Sequence, residues 1–397
     1  MRIPRNAWNA LQYQIDHTSF LPSQRFARLN HGRWVPPPRQ PYEQKECEDE
    51  WGITAHSDEI NGGDRRALAV AAFRWQPVQE GGMREWSGYE FVKRLLNSQT
   101  GLLVVGDSLS QQFVDTLWYM LPKRGHGSHA LKEIFEWSIE NNDAEEGTSD
   151  KRRDQPPKTH QRKIKPQRLD VSLVKDSPWL APLRRELPNV PSERFSQPFL
   201  RFILDDTLVG VERISELAAQ LDLPLMEIVP RLPPSEPWRQ QLPSTQAPAK
   251  KWRHEQNVIV MLNKGAHINQ GEMNITSDGL DAITALLARD LLSDLVQRPN
   301  LDIVYQGTSP GHVGCVGAHT PMYPSTPFED HPTYKIWDWG RFDLRNNLWA
   351  NEMDRLAPRG RTVDGSGSVA YMNVTDMARQ RPEAHFIMSP GSPDCLH

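Results

Sequence analysis

The sequence predicts an α/β fold around a central, mainly parallel sheet, and three observations carry that expectation. Short apolar runs recur: Leu102-Leu103-Val104-Val105 closed by Gly106, Phe199-Leu200-Arg201-Phe202-Ile203-Leu204, Val258-Ile259-Val260-Met261-Leu262 and Leu301-Asp302-Ile303-Val304-Tyr305. Runs of this length bounded by turn residues read as strands buried on both faces. Segments with helical spacing alternate with them, as expected for strand, tight turn and helix units. The composition agrees: 38% hydrophobic and 8% aromatic residues supply a core, while 33 prolines in 397 residues require many loops.

In chain order, residues 1–85 form an irregular segment rich in Trp, Pro and Arg, whose tryptophans read as packing groups. Residues 86–397 form the α/β domain. Apolar positions at helical spacing in Tyr89-Glu90-Phe91-Val92-Lys93-Arg94-Leu95-Leu96 predict a helix before the first strand. Phe113, Leu117 and Met120 predict another after the turn at residues 106–110, and residues 280–296 predict a long amphipathic one. Two stretches read as flexible inserts without a core. Residues 141–195 carry the basic run Lys151-Arg152-Arg153, read as a solvated loop, and residues 233–256 are proline-rich.

Charge and hydropathy narrow the partners. Lys+Arg 46 against Asp+Glu 50 leaves a net charge of −4, so no global positive field draws the chain to nucleic acid. No apolar stretch approaches the ~18 residues that span a bilayer, and the N-terminus lacks the apolar segment of a signal peptide; the sequence as given reads as soluble. Cys47, Cys315 and Cys395 form neither a CxxC pair nor a zinc spacing. Their odd number suits either a reduced protein with inert thiols or an oxidised one lacking a partner. The sequons at Asn274 and Asn373 lean toward the secretory route.

Ligands of open α/β sheets bind where strands end, and the candidate chemistry gathers there. Val104-Val105 runs into Gly106-Asp107-Ser108-Leu109-Ser110, Val260-Met261-Leu262 into Asn263-Lys264-Gly265-Ala266-His267, and Val304-Tyr305 into Gln306-Gly307-Thr308-Ser309-Pro310-Gly311-His312. A serine between strand and helix is exposed at the sheet edge, with backbone N–H groups facing an oxyanion formed there. It needs a base, usually an imidazole oriented by a carboxylate. Asp394 and His397 stand three apart at the chain end, one turn from each other. Asn263 offers a side-chain donor of the oxyanion-hole type. The α/β-hydrolase elbow G-x-S-x-G fits poorly, because Ser110 occupies its last glycine position. Ser108 with a terminal Asp and His suits the SGNH or GDSL arrangement instead.

The residues also resemble a known family, the PC-esterases, which include the plant trichome birefringence-like polysaccharide O-acetyltransferases. Gly32-Arg33-Trp34-Val35 and Arg74-Trp75-Gln76-Pro77 are similar to its N-terminal boxes, and Val105-Gly106-Asp107-Ser108-Leu109-Ser110 to its nucleophile motif. Asn263-Lys264-Gly265-Ala266-His267 resembles its Asn-Thr-Gly-His stretch with one residue inserted, and Ser309-Pro310-Gly311-His312, followed by Cys315, its Ser-Pro-x-His box. Arg381-Pro382-Glu383-Ala384-His385 and Asp394-Cys395-Leu396-His397 complete the series in family order.

The resemblance implies an SGNH-like three-layer sandwich and serine-dependent transfer of an acyl group, usually acetyl, to or from carbohydrate hydroxyls. Ser108 is then the nucleophile, His397 the base and Asp394 its orienter, with the Ser108 N–H and Asn263 amide as oxyanion donors. Asp107, His267, His312 and His385 are supporting or substrate-binding candidates. It further implies a Cys315–Cys395 disulfide with Cys47 left over, no metal and no bound cofactor. The co-substrate is an acetyl donor such as acetyl-CoA, the acceptor a polysaccharide or glycan, and the location the Golgi lumen or secretory pathway. Family members are usually membrane-anchored, and no anchor is present in this sequence. The sequence stops before the Trp-Cys-Leu-Pro-Gly that usually follows the terminal histidine, which favours an incomplete gene model or a truncated relative. The alternative expectation is therefore a catalytically silent, glycan-binding or scaffolding relative.

Overall fold

The computed structural model describes residues 31–36, 73–77, 86–121, 133–141, 167–223, 238–242, 257–267, 269–273, 275–315, 318, 320–322, 337–356, 367–385, 387–389, 392–393 and 395–396. Asp394, His397, Cys47, the sequon residue Asn274 and the basic run at 151–153 lie outside the described residues.

The centre is a seven-stranded sheet. In chain order its strands are β3 (Leu102–Gly106), β4 (Phe135–Asn141), β5 (Gln167–Leu173), β6 (Leu200–Leu204), β7 (Val258–Leu262), β8 (Leu301–Gln306) and β9 (Val369–Met372); β1 (Gly32–Val35) and β2 (Arg74–Pro77) form a separate ribbon. The order across the sheet is β4-β5-β6-β3-β7-β8-β9. The five strands from β6 to β9 are parallel, and β5 pairs antiparallel with β4 and β6. The chain passes from β3 to β6 on one side, then crosses back to β7 on the other. The end of β3 is therefore a topological switch point, where side chains from two directions converge.

The expected helices are present. α1 (Gly88–Leu96) starts at Ser87, whose hydroxyl accepts the Glu90 N–H at 3.3 Å. α2 (Ser108–Met120) follows β3, and α3 (Leu180–Glu186) and α4 (Val211–Gln220) flank β6. α5 (Ser277–Leu295) is capped by Thr276, and α6 (Phe342–Leu356) and α7 (Thr375–Arg379) follow β8 and β9. Alternation along β3 feeds two cores, because successive side chains point to opposite faces. Leu103 and Val105 pack with α4, α5, Trp238 and Trp349. Leu102 and Val104 pack with Val92, Leu95 and Leu96 of α1 and Val114 and Leu117 of α2. The result is the expected three-layer α/β sandwich. Met120, counted above on the apolar face of α2, is instead 40% exposed at the helix end.

The two stretches read as inserts need correction. Residues 141–195 contain all of β5 and α3, and Leu169, Val171, Leu173, Leu183 and Phe195 are core residues. Leu169, Val171 and Leu173 alternate with Arg168, Asp170 and Ser172, a two-residue period that the charged run before it obscured. Within 233–256, Trp238 is 1% exposed and donates its indole N–H to the Leu208 carbonyl at 3.3 Å.

The ribbon packs on α7. The Trp34 and Trp75 rings meet edge to face with centroids 5.5 Å apart, and the Trp34 indole N–H donates to Met377 O at 2.8 Å. The Arg381 guanidinium lies 4.3 Å above the Trp34 ring, a cation–π contact. Cys315 and Cys395 form a disulfide. Among the described residues no helix is long and apolar enough to cross a membrane.

Candidate active site

The turn after β3 places Ser108 at the first position of α2. Asp107 is the N-cap: its side chain accepts the Leu109 N–H at 3.0 Å, satisfying one of the donors every helix start leaves open. Gly106 has to be glycine, since a Cβ there would lie 2.3 Å from Ser110 Oγ and 2.6 Å from the Asn263 carbonyl oxygen. The hydroxyl of Ser108 thus sits at the positive end of a helix dipole. Ser108 is partly exposed, whereas Asp107, Leu109 and Ser110 around it are buried.

The loop after β7 supplies the partner. Strand pairing places Val105 beside Leu262, so the residues beyond both strand ends continue side by side. Ala266 donates its backbone N–H to the second carboxylate oxygen of Asp107 at 3.1 Å. His267, next in sequence and partly exposed, places Nε2 3.0 Å from Ser108 Oγ. Residues 263–266 of the same loop are buried. Within residues 106–110 and 263–267 the partly exposed residues are Ser108 and His267, and their side chains touch each other.

The end of β8 holds that loop from the far side. Asn263 donates its amide to Gln306 O at 2.9 Å and to Thr308 Oγ1 at 3.3 Å. Thr308 Oγ1 and the Tyr305 hydroxyl both donate to the Lys264 carbonyl, at 3.0 and 2.9 Å. Asn346 of α6 accepts the Thr308 N–H at 2.8 Å and donates to its carbonyl at 3.0 Å. The amide expected as an oxyanion donor is thus bonded within the loop cluster. Burial pushes the Lys264 ammonium down to about 7, against the pull of Asp205, Asp107 and Asp206.

A second cluster joins the boxes nearer the C-terminus. His312 contacts Arg379 O through Nε2 at 2.8 Å, and a carbonyl only accepts, so Nε2 carries the proton. In the neutral ring Nδ1 is then an acceptor, and His385 Nε2 donates to it at 2.5 Å. The His312 backbone N–H donates to Cys395 O at 2.7 Å, beside the disulfide. Burial lowers the His312 pKa below its ordinary 6.5. Among the described residues no three His, Cys, Asp or Glu side chains converge as a metal-holding group.

The structure therefore gathers Ser108, Asp107 and His267 in one contact group and His312, His385 and the Cys315–Cys395 bridge in another. His267 stands in direct contact with the expected nucleophile, closer than a supporting role required. Thr308 and Asn346, which the sequence did not assign to the site, hold the His267 loop, and the Asp205 side chain closes the neighbouring turn after β6 by accepting from Thr207 and Leu208. Their signal was position alone, since Asp205 and Thr308 follow strand ends. No protein-family model matches the chain, and no curated protein matches it.

Proposed function

We propose that this protein is a serine-dependent O-acyl transferase or esterase acting on carbohydrate hydroxyls, with Ser108 as nucleophile. The observation that carries the reading is the Ser108 Oγ–His267 Nε2 contact of 3.0 Å at the start of α2. A hydroxyl is a weak nucleophile until a base takes its proton. In the first step Ser108 Oγ attacks the acyl carbonyl, and its proton passes to an imidazole. The tetrahedral oxyanion is met by the Ser108 N–H at the helix start and by the Asn263 amide after it exchanges its 3.3 Å bond to Thr308. Collapse expels the donor's leaving group with that proton and leaves acyl-Ser108. A sugar hydroxyl then attacks the ester, giving its proton to the same imidazole and restoring Ser108. Water in its place releases the carboxylic acid.

By resemblance the base is His397 oriented by Asp394. The Cys315–Cys395 bridge supports this indirectly, because it ties the terminal segment to the loop beyond β8, on the carboxyl side of the sheet. The 3.0 Å contact favours a second reading in which His267 is itself the base. An acetyl donor such as acetyl-CoA, a glycan acceptor and the secretory pathway belong to the same proposal. Disulfides persist mainly in oxidising compartments, which supports the last of these.

The test is fluorophosphonate labelling and hydrolysis of a chromogenic acetyl ester by wild type, Ser108→Ala, His267→Ala and His397→Ala. Ser108→Ala is expected to lose several orders of magnitude, roughly 10³-fold or more. Equal turnover by Ser108→Ala and wild type removes Ser108 from the mechanism. Loss of comparable size in His397→Ala but not His267→Ala assigns the base to His397, and the reverse pattern assigns it to His267.

A further inference from the structure

The loop that carries His267 also carries a buried lysine. Strand register sets its neighbours. Gly106 pairs with Leu204 and Val105 with Leu262, so Asp205, Asp107 and Lys264 follow three adjacent strand ends, β6, β3 and β7. Their exposures are 0%, 1% and 4%. The lysine backbone is fixed, since its carbonyl accepts from both Tyr305 and Thr308. Its Nζ is buried and has no hydrogen-bond partner among the described residues. The charged groups that act on it are Asp205 and Asp206 beyond β6, Asp107 beyond β3, and Arg345 of α6. Arg345 is already bound to Asp281 at 2.7 Å and Asp338 at 2.8 Å. Lys264 thus stands as a buried cation beside the carboxylates at the sheet edge.

Asp107 needs such a cation. A buried carboxylate is costly unless it is paired and hydrogen-bonded. Its two oxygens hold Leu109 of the nucleophile turn and Ala266 of the histidine loop. We infer that Lys264 is a positioning residue for the Ser108–His267 pair: its ammonium is the buried counter-charge to Asp107 and Asp205, and so maintains the carboxylate that joins the two loops. The inference rests on the reading of Ser108 as nucleophile.

The charge is also variable. Burial lowers the ammonium to about 7, so it is lost as pH rises through that value. Loop alignment should then weaken on the alkaline side, while an arginine, which stays charged, should hold it.

The experiment measures the rate of fluorophosphonate labelling at Ser108 against pH for wild type, Lys264→Met and Lys264→Arg, alongside urea unfolding of each at the same pH values. At about pH 6.5, Lys264→Met is expected to label about 10- to 100-fold more slowly than wild type, since small misplacement at a reacting centre has effects of that size. Its deficit shrinks toward about pH 8.5, where wild type has lost the charge too, and Lys264→Arg overtakes wild type there. Identical pH profiles for wild type and Lys264→Met overturn the inference while leaving Ser108 in place. If wild type does not label at all, the reading of Ser108 fails, and unfolding still decides Lys264. A lysine whose folded pKa is lowered binds fewer protons in the fold than in the unfolded chain. Wild type must therefore gain stability relative to Lys264→Met as pH rises above about 7. Parallel stability curves overturn the inference on that readout. Should Lys264→Arg be too large to fold, the Lys264→Met comparison carries both tests.

Discussion

Asp107 accepts the backbone N–H of Ala266 across 159 positions of sequence, and the next residue of each, Ser108 and His267, make the following contact at the same separation. The carboxylate and the hydroxyl–imidazole contact are successive rungs between two loops. The distance between the hydroxyl and the imidazole is therefore set through Asp107, whose other oxygen caps α2.

Asp107→Ala should both destabilise the fold and misalign the site. The variant leaves the buried Ala266 N–H unpaired, at about 1–3 kcal/mol, and removes a helix cap, at about 1 kcal/mol. Asp107→Asn keeps the cap oxygen and should lose less. Urea unfolding reads the first effect and fluorophosphonate labelling the second. An unchanged midpoint in Asp107→Ala contradicts the two-loop joint.

Gly106→Ala should be costly because the space is already filled. The added methyl meets Ser110 Oγ at 2.3 Å and the Asn263 carbonyl oxygen at 2.6 Å. Overpacking of this kind costs typically about 1–3 kcal/mol, and here it also pushes the β7 loop away from the serine turn. Gly340→Ala, where an added Cβ meets nothing within 4 Å, is the control and should change little. Equal melting temperatures for the two variants exclude the tight approach.

The His312–His385 pair should make stability fall in acid. Burial lowers the His312 pKa below 6.5; the Arg379 carbonyl opposes this and the Arg379 charge adds to it. The unfolded chain then binds more protons than the folded one as pH falls below the ordinary histidine value. Stability is full above that value and is lost as pH drops through the folded pKa. Protonation of His312 at Nδ1 also breaks the His385-to-His312 bond, because Nδ1 is then no longer an acceptor. His312→Gln should flatten the dependence in urea midpoints taken between about pH 8 and pH 5. Parallel wild-type and variant curves contradict it.

The strands from β6 to β8 and the helices α1, α2 and α5 were legible because each writes its burial into a local period. β5 was not, since its alternation spans one short segment behind a charged run, and periodicity over so few residues is easily masked. Trp238 was hidden similarly among prolines. The disulfide between Cys315 and Cys395 came from resemblance to a family rather than from spacing, as 80 positions separate the two.

The sequence alone determined the alternation of buried strands and amphipathic helices, and it marked the strand ends that carry Asp107, Ser108, Asn263 and His267. Both are local properties, readable from side-chain period and turn chemistry. Tertiary structure decided which ends become neighbours: the order β6-β3-β7-β8 sets Asp205, Asp107, Lys264 and Thr308 in a row. That order also turned His267 into the partner of Ser108 and Lys264 into a buried lysine. Strand order depends on how helices of the whole chain share two faces of one sheet, and no window of sequence contains that competition.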